Sequence, residues 1–277
     1  MVVIQTKKEP KALFSFDYQI ELTFDRTAIL PCLVSVYREE TLPEHTIKLG
    51  FFGGAGEPDL SDVVGIGVNN CSLKFAERTG RYIGNHNRKY EPKILPITGA
   101  APGNPHAFAE AAAKLGTWCV GLSPFYDEDH HLHNGSDTSN YAVIVYMGLD
   151  RSATFETMRG KQRMNVQFAL RDGYNILGIH AGIYCGGSRG TLQELADNLQ
   201  CGKDVALARG TGGVAGYYSE FDRKIKKNTG SHMIVSSNPG YIIRKLIALQ
   251  KQRWKQNGKM QRLFIDDVVQ RTNQRLR

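Results

Sequence analysis

From Ile47 onward the chain repeats one pattern: a short apolar run, often ending at glycine, then a segment whose apolar positions recur at helical spacing. Continuous apolar runs are strands buried on both faces, and strands alternating with helices build a parallel sheet. The runs predict strands over 48–52, 94–98, 118–122, 141–147, 176–184, 205–208 and 233–236. Between them, Phe108, Ala109, Ala112, Ala113 and Leu115 mark one apolar helix face, and Leu192, Leu195, Ala196 and Leu199 mark another at i, i+3, i+4 and i+7. After Pro239 the positions Ile242, Ile243, Leu246, Ile247 and Leu249 predict a further amphipathic helix, with a last one over 260–275. Residues before Ile47 read differently: two apolar runs, 13–24 and 28–37, with alternation at Phe14, Phe16, Tyr18, Ile20 and Leu22, predict an added β-hairpin. The fold class is therefore α/β, a doubly wound, mostly parallel sheet with an N-terminal hairpin and C-terminal helices.

Composition narrows the setting. A chain of 277 residues with 41% hydrophobic and 22% charged residues is ordinary globular material with enough length for a sizeable core. Its five cysteines, Cys32, Cys71, Cys119, Cys185 and Cys201, are dispersed, which predicts reduced thiols and a cytoplasmic address. We expect no exported leader and no membrane span, because no apolar stretch reaches the required length. The net charge of +8 is carried entirely by residues 244–277, where ten Lys or Arg stand against Asp266 and Asp267. Such a tail reads as a solvated helix face, so a nucleic-acid partner is not expected. Asp62, Arg78, Arg81 and Arg88 likewise read as surface charges, and Trp118 and Trp254 as packing residues.

Candidate chemistry lies at glycine turns after strands, where backbone amides approach an anion beyond the carboxyl ends of a parallel sheet. Three segments qualify: Gly53-Gly54-Ala55-Gly56, Thr98-Gly99-Ala100-Ala101-Pro102-Gly103, and Cys185 to Glu194. In the third, Gly186, Gly187, Ser188, Arg189, Gly190 and Thr191 join a strand to a helix, so the amides and the positive end of the helix dipole face a phosphate, with the Thr191 hydroxyl as a further donor. Glu194, one turn on, is placed for ribose hydroxyls. The loop 123–140 is too long for a simple connector and suggests a lid. Its run Asp127-Glu128-Asp129-His130-His131-Leu132-His133 carries metal-capable groups, but adjacent loop side chains do not converge without a scaffold, and no metal and no cofactor are expected.

The ordered set Ile97-Thr98-Gly99, Pro102-Gly103, Gly121-Leu122-Ser123-Pro124, Arg163 with Asn165, Gly186-Gly187, Gly190-Thr191, Glu194, Gly202-Lys203 and Thr211-Gly212-Gly213 resembles the LOG-like proteins of the SLOG superfamily. That family contains phosphoribohydrolases and Rossmann-fold carriers or sensors. The resemblance implies a Rossmann-like nucleotide-binding domain over 47–240, flanked by the 1–46 extension and by basic helices over 241–277 packed on the same domain. It implies that the glycine-Thr turn holds a 5′-phosphate, that Asn165 assists, and that Arg163 and Glu194 serve the ribose and the glycosidic bond. His130 or His131 would approach the ligand. Hydrolysis of nucleoside 5′-monophosphates to base and ribose 5-phosphate, or non-catalytic binding of a nucleotide-derived ligand, are both open. A homodimer is implied too, with the apolar faces of the last helices as candidate interface. Three departures stand out: Cys185 takes the place of a proline, Ser188-Arg189 puts two residues where hydrolases have one, and Arg163-Met164-Asn165 replaces an Arg-Lys pair.

Overall fold

The computed structural model describes residues 2–6, 20–22, 46–55, 68–125, 128–133, 138–146, 168, 171–173, 175–176, 178–217 and 230–257. In chain order the elements are β1 (Val2–Thr6), β2 (Ile20–Leu22), β3 (Ile47–Gly53), α1 (Asn70–Lys89), β4 (Ile94–Thr98), α2 (Asn104–Ala113), β5 (Cys119–Ser123), α3 (Glu128–His133) and β6 (Tyr141–Tyr146). There follow β7 (Ala181–Cys185), α4 (Arg189–Gln200), β8 (Asp204–Ala208), a 3-10 turn (Gly213–Tyr217), β9 (Met233–Ser236) and α5 (Pro239–Asn257).

All nine strands join one sheet in the order β2-β1-β6-β5-β4-β3-β7-β8-β9. From β6 to β9 every neighbouring pair is parallel. The strands β4, β5, β7 and β8 are buried throughout, which is why they read as unbroken apolar runs. Chain order steps from β3 outward to β6, then returns to the other side of β3 with β7, so the sheet is doubly wound about the β3–β7 boundary. The antiparallel addition is present but placed differently from expectation. Its arms are β1 and β2, with Val2 opposite Leu22 and Ile4 opposite Ile20, and β1 also lines the free edge of β6. The expected second arm, 28–37, and the expected last helix, 260–275, lie outside the described residues.

Helices cover the sheet with their apolar faces. The first, α1, starts in a capping box between Asn69 and Ser72 and buries Phe75, Ala76, Thr79 and Ile83. It lies tightly against α2, since a Cβ on Gly80 would stand 2.3 Å from the Phe108 carbonyl oxygen. Phe108 in turn stacks on Phe51 of β3 with ring centroids 4.2 Å apart, a pair of rings worth about 2 kcal/mol each by burial. On α5, Ile242, Ile243 and Leu246 are buried in this chain's own core, so that apolar face is consumed by the fold and cannot serve as the expected dimer interface. Two further expectations need correction. The buried face of α4 runs through Thr191, Glu194, Leu195, Asn198 and Leu199, leaving Leu192 at 39% exposure, because the helix start turns Thr191 onto Gly187. The apolar run 176–184 is two elements: Asn175 and Ile176 are helical, and the strand begins only at Ala181. Among the described residues no helix is long and apolar enough to cross a membrane.

At the amino end of β8, Asp204 ties α5 to the sheet. Its buried carboxylate accepts from Arg253 Nε at 2.8 Å and Nη2 at 2.7 Å, from Gln250 Nε2 at 2.9 Å and from the His232 amide at 3.0 Å. Burial alone would raise this carboxyl, but the hydrogen bonds from Arg253 and His232 outweigh it and hold it below the usual range. A lowered carboxyl stabilises the fold above its unfolded value and loses that contribution as pH falls. Asp204→Ala, which strands Arg253 and Gln250, is expected to cost about 3 kcal/mol in chemical denaturation at neutral pH, and the deficit should shrink on acidification.

Candidate functional site

Where β3 and β7 end side by side, the backbones come unusually close. A Cβ on Gly53 would stand 2.7 Å from the Cys185 carbonyl oxygen and 2.9 Å from Asn104 Cβ, so this position must be glycine. Asn104, the first residue of α2, locks the junction: its amide donates to Gly54 O at 3.1 Å, its Nδ2 donates to Cys185 O at 3.1 Å, and its Oδ1 accepts from Ser72 Oγ at 3.0 Å. The Cys185 thiol, pushed up by burial, donates to Ser72 O at 3.3 Å. That contact gives the residue standing in the proline position a packing role at the strand end.

The chain then turns through Gly186 and Gly187, both left-handed with φ of 60° and 83°. Thr211 supports them from the β8 loop: its Oγ1 accepts from the Gly186 amide at 2.9 Å and donates to Ala208 O at 2.7 Å. Gly213 packs so closely on the turn that a Cβ there would lie 2.1 Å from Gly187 O. The Thr211-Gly212-Gly213 sequence is thus the brace of the glycine turn. Beyond it Ser188, Arg189 and Gly190 are exposed at the start of α4, while Thr191 is buried with its hydroxyl against Gly187.

Helix starts distinguish this end of the sheet. Asn69 caps α1 with its own side chain, whereas neither Gly103 before α2 nor Ser188 before α4 provides a side-chain cap. Two helices therefore open beside the β3–β7 boundary without a side-chain cap, and their dipoles place partial positive charge there, although at α2 the Asn104 amide is given to Gly54 O and Pro105 carries no N–H. Gly103, with φ of 85°, is the residue that lets α2 begin at this point. Gly54 and Gly99 lie at the same strand ends and are buried. Thr98 is buried as well, and its hydroxyl is engaged inside the protein, accepting from the Ala100 amide at 3.1 Å and donating to Tyr141 at 3.3 Å. It shapes the turn that carries Gly99.

Glu194 sits one helical turn into α4 and is 5% exposed. Its Oε1 accepts from Asn175 Nδ2 at 3.1 Å and lies 3.8 Å from Arg171 Nη2. Arg171 also pairs with Asp172, Nε to Oδ1 at 2.9 Å, reaches Gly99 O through Nη1 at 3.4 Å, and packs over the Phe168 ring. Burial, then the neighbouring Asp172 charge, push the Glu194 carboxyl above the usual carboxylate range, against the opposing pull of Arg171 and Asn175. A carboxyl so held keeps its proton nearer neutrality and is suited to acid–base work.

Arg163 and Asn165 lie outside the described residues. The arginine beside Glu194 is Arg171, which with Asp172 and Asn175 was passed over in the sequence because its segment, Leu170-Arg171-Asp172-Gly173, has no glycine turn or family spacing to mark it. Asn104 was passed over too, although an Asn-Pro pair directly after Gly103 was the available signal. In α3, His131 is buried and pairs through Nδ1 with Ser123 Oγ at 2.9 Å, against the end of β5.

The sequence pattern of the SLOG cluster4 family matches residues 61–243, well over half the chain. This chain belongs to the SLOG cluster4 family. Its SLOG fold is similar to two solved structures: the structural-genomics target TM1055, with 18% identity, a TM-score of 0.52 and coverage of 73% of this chain and 98% of that one, and the molybdenum cofactor binding protein from the phototrophic bacterium Rippkaea orientalis, with 18% identity, a TM-score of 0.50 and coverage of 75% and 98%. At that identity the likeness is one of fold. No curated protein matches the sequence. The family pattern takes in both glycine turns from Thr98 onward and the Arg171–Glu194 cluster, while β3 with Gly53 and Gly54 precedes the matched residues.

The cluster makes a pH-dependent stability test. A carboxyl raised above its unfolded value of about 4.3 favours folding only below that pH, and the advantage is lost as pH rises toward the folded value. Wild-type protein should therefore lose thermal stability from pH 5 toward 8, and Glu194→Gln should flatten that decline, as read by melting temperature across the range.

Proposed function

We propose that this SLOG cluster4 protein binds a phosphorylated nucleoside or nucleotide-derived molecule, with the phosphate on the first-turn amides of α4 from Gly187 to Thr191. The observation that carries the reading is the pair of uncapped helix starts, α2 and α4, beside the β3–β7 boundary. Arg189 at the exposed start of α4 adds a cation next to the anion, and Ser188 adds a hydroxyl. Gly53 and Gly54 form the floor between the two helices, and Gly99 and Gly103 form the adjacent wall.

Glu194 and Arg171 extend the reading to chemistry. With the 5′-phosphate on the helix start, the ribose falls toward Glu194. The protonated carboxyl then gives its proton to the departing base nitrogen as water attacks the anomeric carbon, the C–N bonding pair leaves with the base, and the proton lost by the attacking water returns to the Glu194 carboxylate. Arg171 steadies the carboxylate left behind. The products are free base and ribose 5-phosphate, the reaction class implied by the resemblance. Arg163, which the resemblance gives to the ribose and glycosidic bond, and Asn165, which it gives to the phosphate, lie outside the described residues.

A second reading, a non-catalytic carrier or sensor, is favoured by one observation: Glu194 is nearly enclosed and already occupied by Asn175. A panel of nucleoside 5′-monophosphates separates the two. Hydrolysis predicts released base by chromatography, lowered about 10²-fold or more in Glu194→Gln with affinity retained. A carrier predicts binding by calorimetry and no release. In either case Gly187→Asp, which places a side chain on a left-handed residue against Thr191 and a negative charge at the helix start, should weaken phosphate-ligand binding about tenfold or more. Failure of every phosphorylated nucleoside to bind would remove the proposal.

A further inference from the structure

Away from the carboxyl-end site, two parallel helices build a basic face. Tyr82 of α1 accepts from Arg244 Nη1 of α5 at 3.1 Å, and the Glu91 carbonyl just past α1 accepts from Lys251 Nζ at 3.5 Å, so the helices run in the same direction side by side. Close contact starts at Gly240, where a Cβ would stand 2.6 Å from the Tyr82 ring.

Along the outer side of α1 the exposed residues include Lys74, Arg78, Arg81, Arg88 and Lys89. Spacings of four, three and seven put Lys74, Arg78, Arg81 and Arg88 in one stripe, about 21 Å long at the helical rise, with Lys89 beside its end. The one acid on α1, Glu77, is paired with Arg81. On α5, Arg244, Lys245, Lys251 and Lys255 are exposed, and that helix contains no Asp or Glu. The charge along α1 is invisible in a segment average, because the acids that balance it lie elsewhere in the sequence. A second, independent feature is two exposed aromatic rings at the ends of these helices. Tyr90, 60% exposed, follows α1, and Tyr241, 42% exposed, lies in the first turn of α5 with Lys245 Nζ 5.7 Å from its ring.

We infer that the α1–α5 face binds single-stranded nucleic acid, its two cationic stripes following the phosphates and Tyr90 and Tyr241 stacking on bases. Cations with exposed aromatic rings are what a single strand requires, since every base offers a π-face and every linkage a charge. A second copy of this chain does not fit, because like-charged stripes would oppose each other. A membrane surface fits poorly, since Tyr90 and Tyr241 are rings with polar tips and no large aliphatic or Trp side chain projects among the described residues of this face. This departs from the sequence expectation of a merely solvated tail. What the sequence did not reveal is that α5 lies beside a second basic stripe.

The test is fluorescence anisotropy of a labelled oligothymidylate titrated with the full chain at several salt concentrations. Wild-type protein should bind with an affinity that falls steeply with salt, about 0.7 in log–log slope per phosphate contact. The triple variant Arg78→Ala, Arg88→Ala, Lys251→Ala should lower that slope by about 2 and the affinity at least about tenfold. Tyr241→Ala should weaken binding about tenfold while leaving the slope unchanged. Gly187→Asp, at the separate nucleotide site, should bind the oligonucleotide as wild type does, which keeps this inference distinct from the proposed function. Melting temperatures close to wild type confirm that the surface variants fold. Absence of salt-sensitive binding, full binding by the triple variant, preference for a duplex, or capture by phosphatidylserine vesicles without oligonucleotide binding would overturn the inference.

Discussion

The meeting of β3 and β7 constrains everything around it. Their backbones approach until Gly53 has no room for a side chain, and Asn104 bonds both strand ends while accepting from Ser72 of α1. Three elements and the start of a fourth are thereby fixed to one another at a point where the strand order reverses. Such a reversal leaves a crevice between helices that diverge to opposite faces. With α2 starting after Gly103 and α4 after Ser188, the ends that open there carry no side-chain cap. The glycine turn is held from the far side by Thr211 and Gly213, so its left-handed geometry is supported by the fold before any ligand arrives.

The same geometry explains why an acid is tolerated almost out of solvent. Glu194 would be costly as an isolated buried charge, and the shift of its carboxyl toward the neutral form is how that cost is met. Arg171 does not form a simple pair with it. The guanidinium is shared among Asp172, Gly99 O and Glu194, linking the β4 turn to α4 across the strand ends. A ligand anion entering beside α4 would enter a field already set by this cluster.

Much of the fold was legible in the sequence, because a parallel sheet writes its strands as plain apolar runs. The predicted strands at 94–98 and 233–236 coincide with β4 and β9, and the apolar face through Phe108, Ala109 and Ala112 is buried as expected. Legibility failed where apolar residues serve two elements in succession, as at Ile176 before β7, and where a helix start is governed by a turn, as at Leu192. The glycine positions of the site were readable, since close approach and positive φ leave few alternatives. Arg171 and Asn175 were not, because each acts on a partner distant in sequence and nothing local marks them, while Asn104 carried only the Asn-Pro pair after Gly103 as a signal. The alignment of two basic stripes is of the same kind, a property of packing that neither helix displays alone.

The central claim is that the amides at the start of α4 bind phosphate. Amide chemical shifts of nitrogen-15-labelled protein, followed while adenosine 5′-monophosphate and then inorganic phosphate are added, test it directly. The largest saturable shifts are expected at Gly187 through Thr191, with a second group around Gly103. Saturable shifts confined to other parts of the chain, with those amides unmoved, would contradict it.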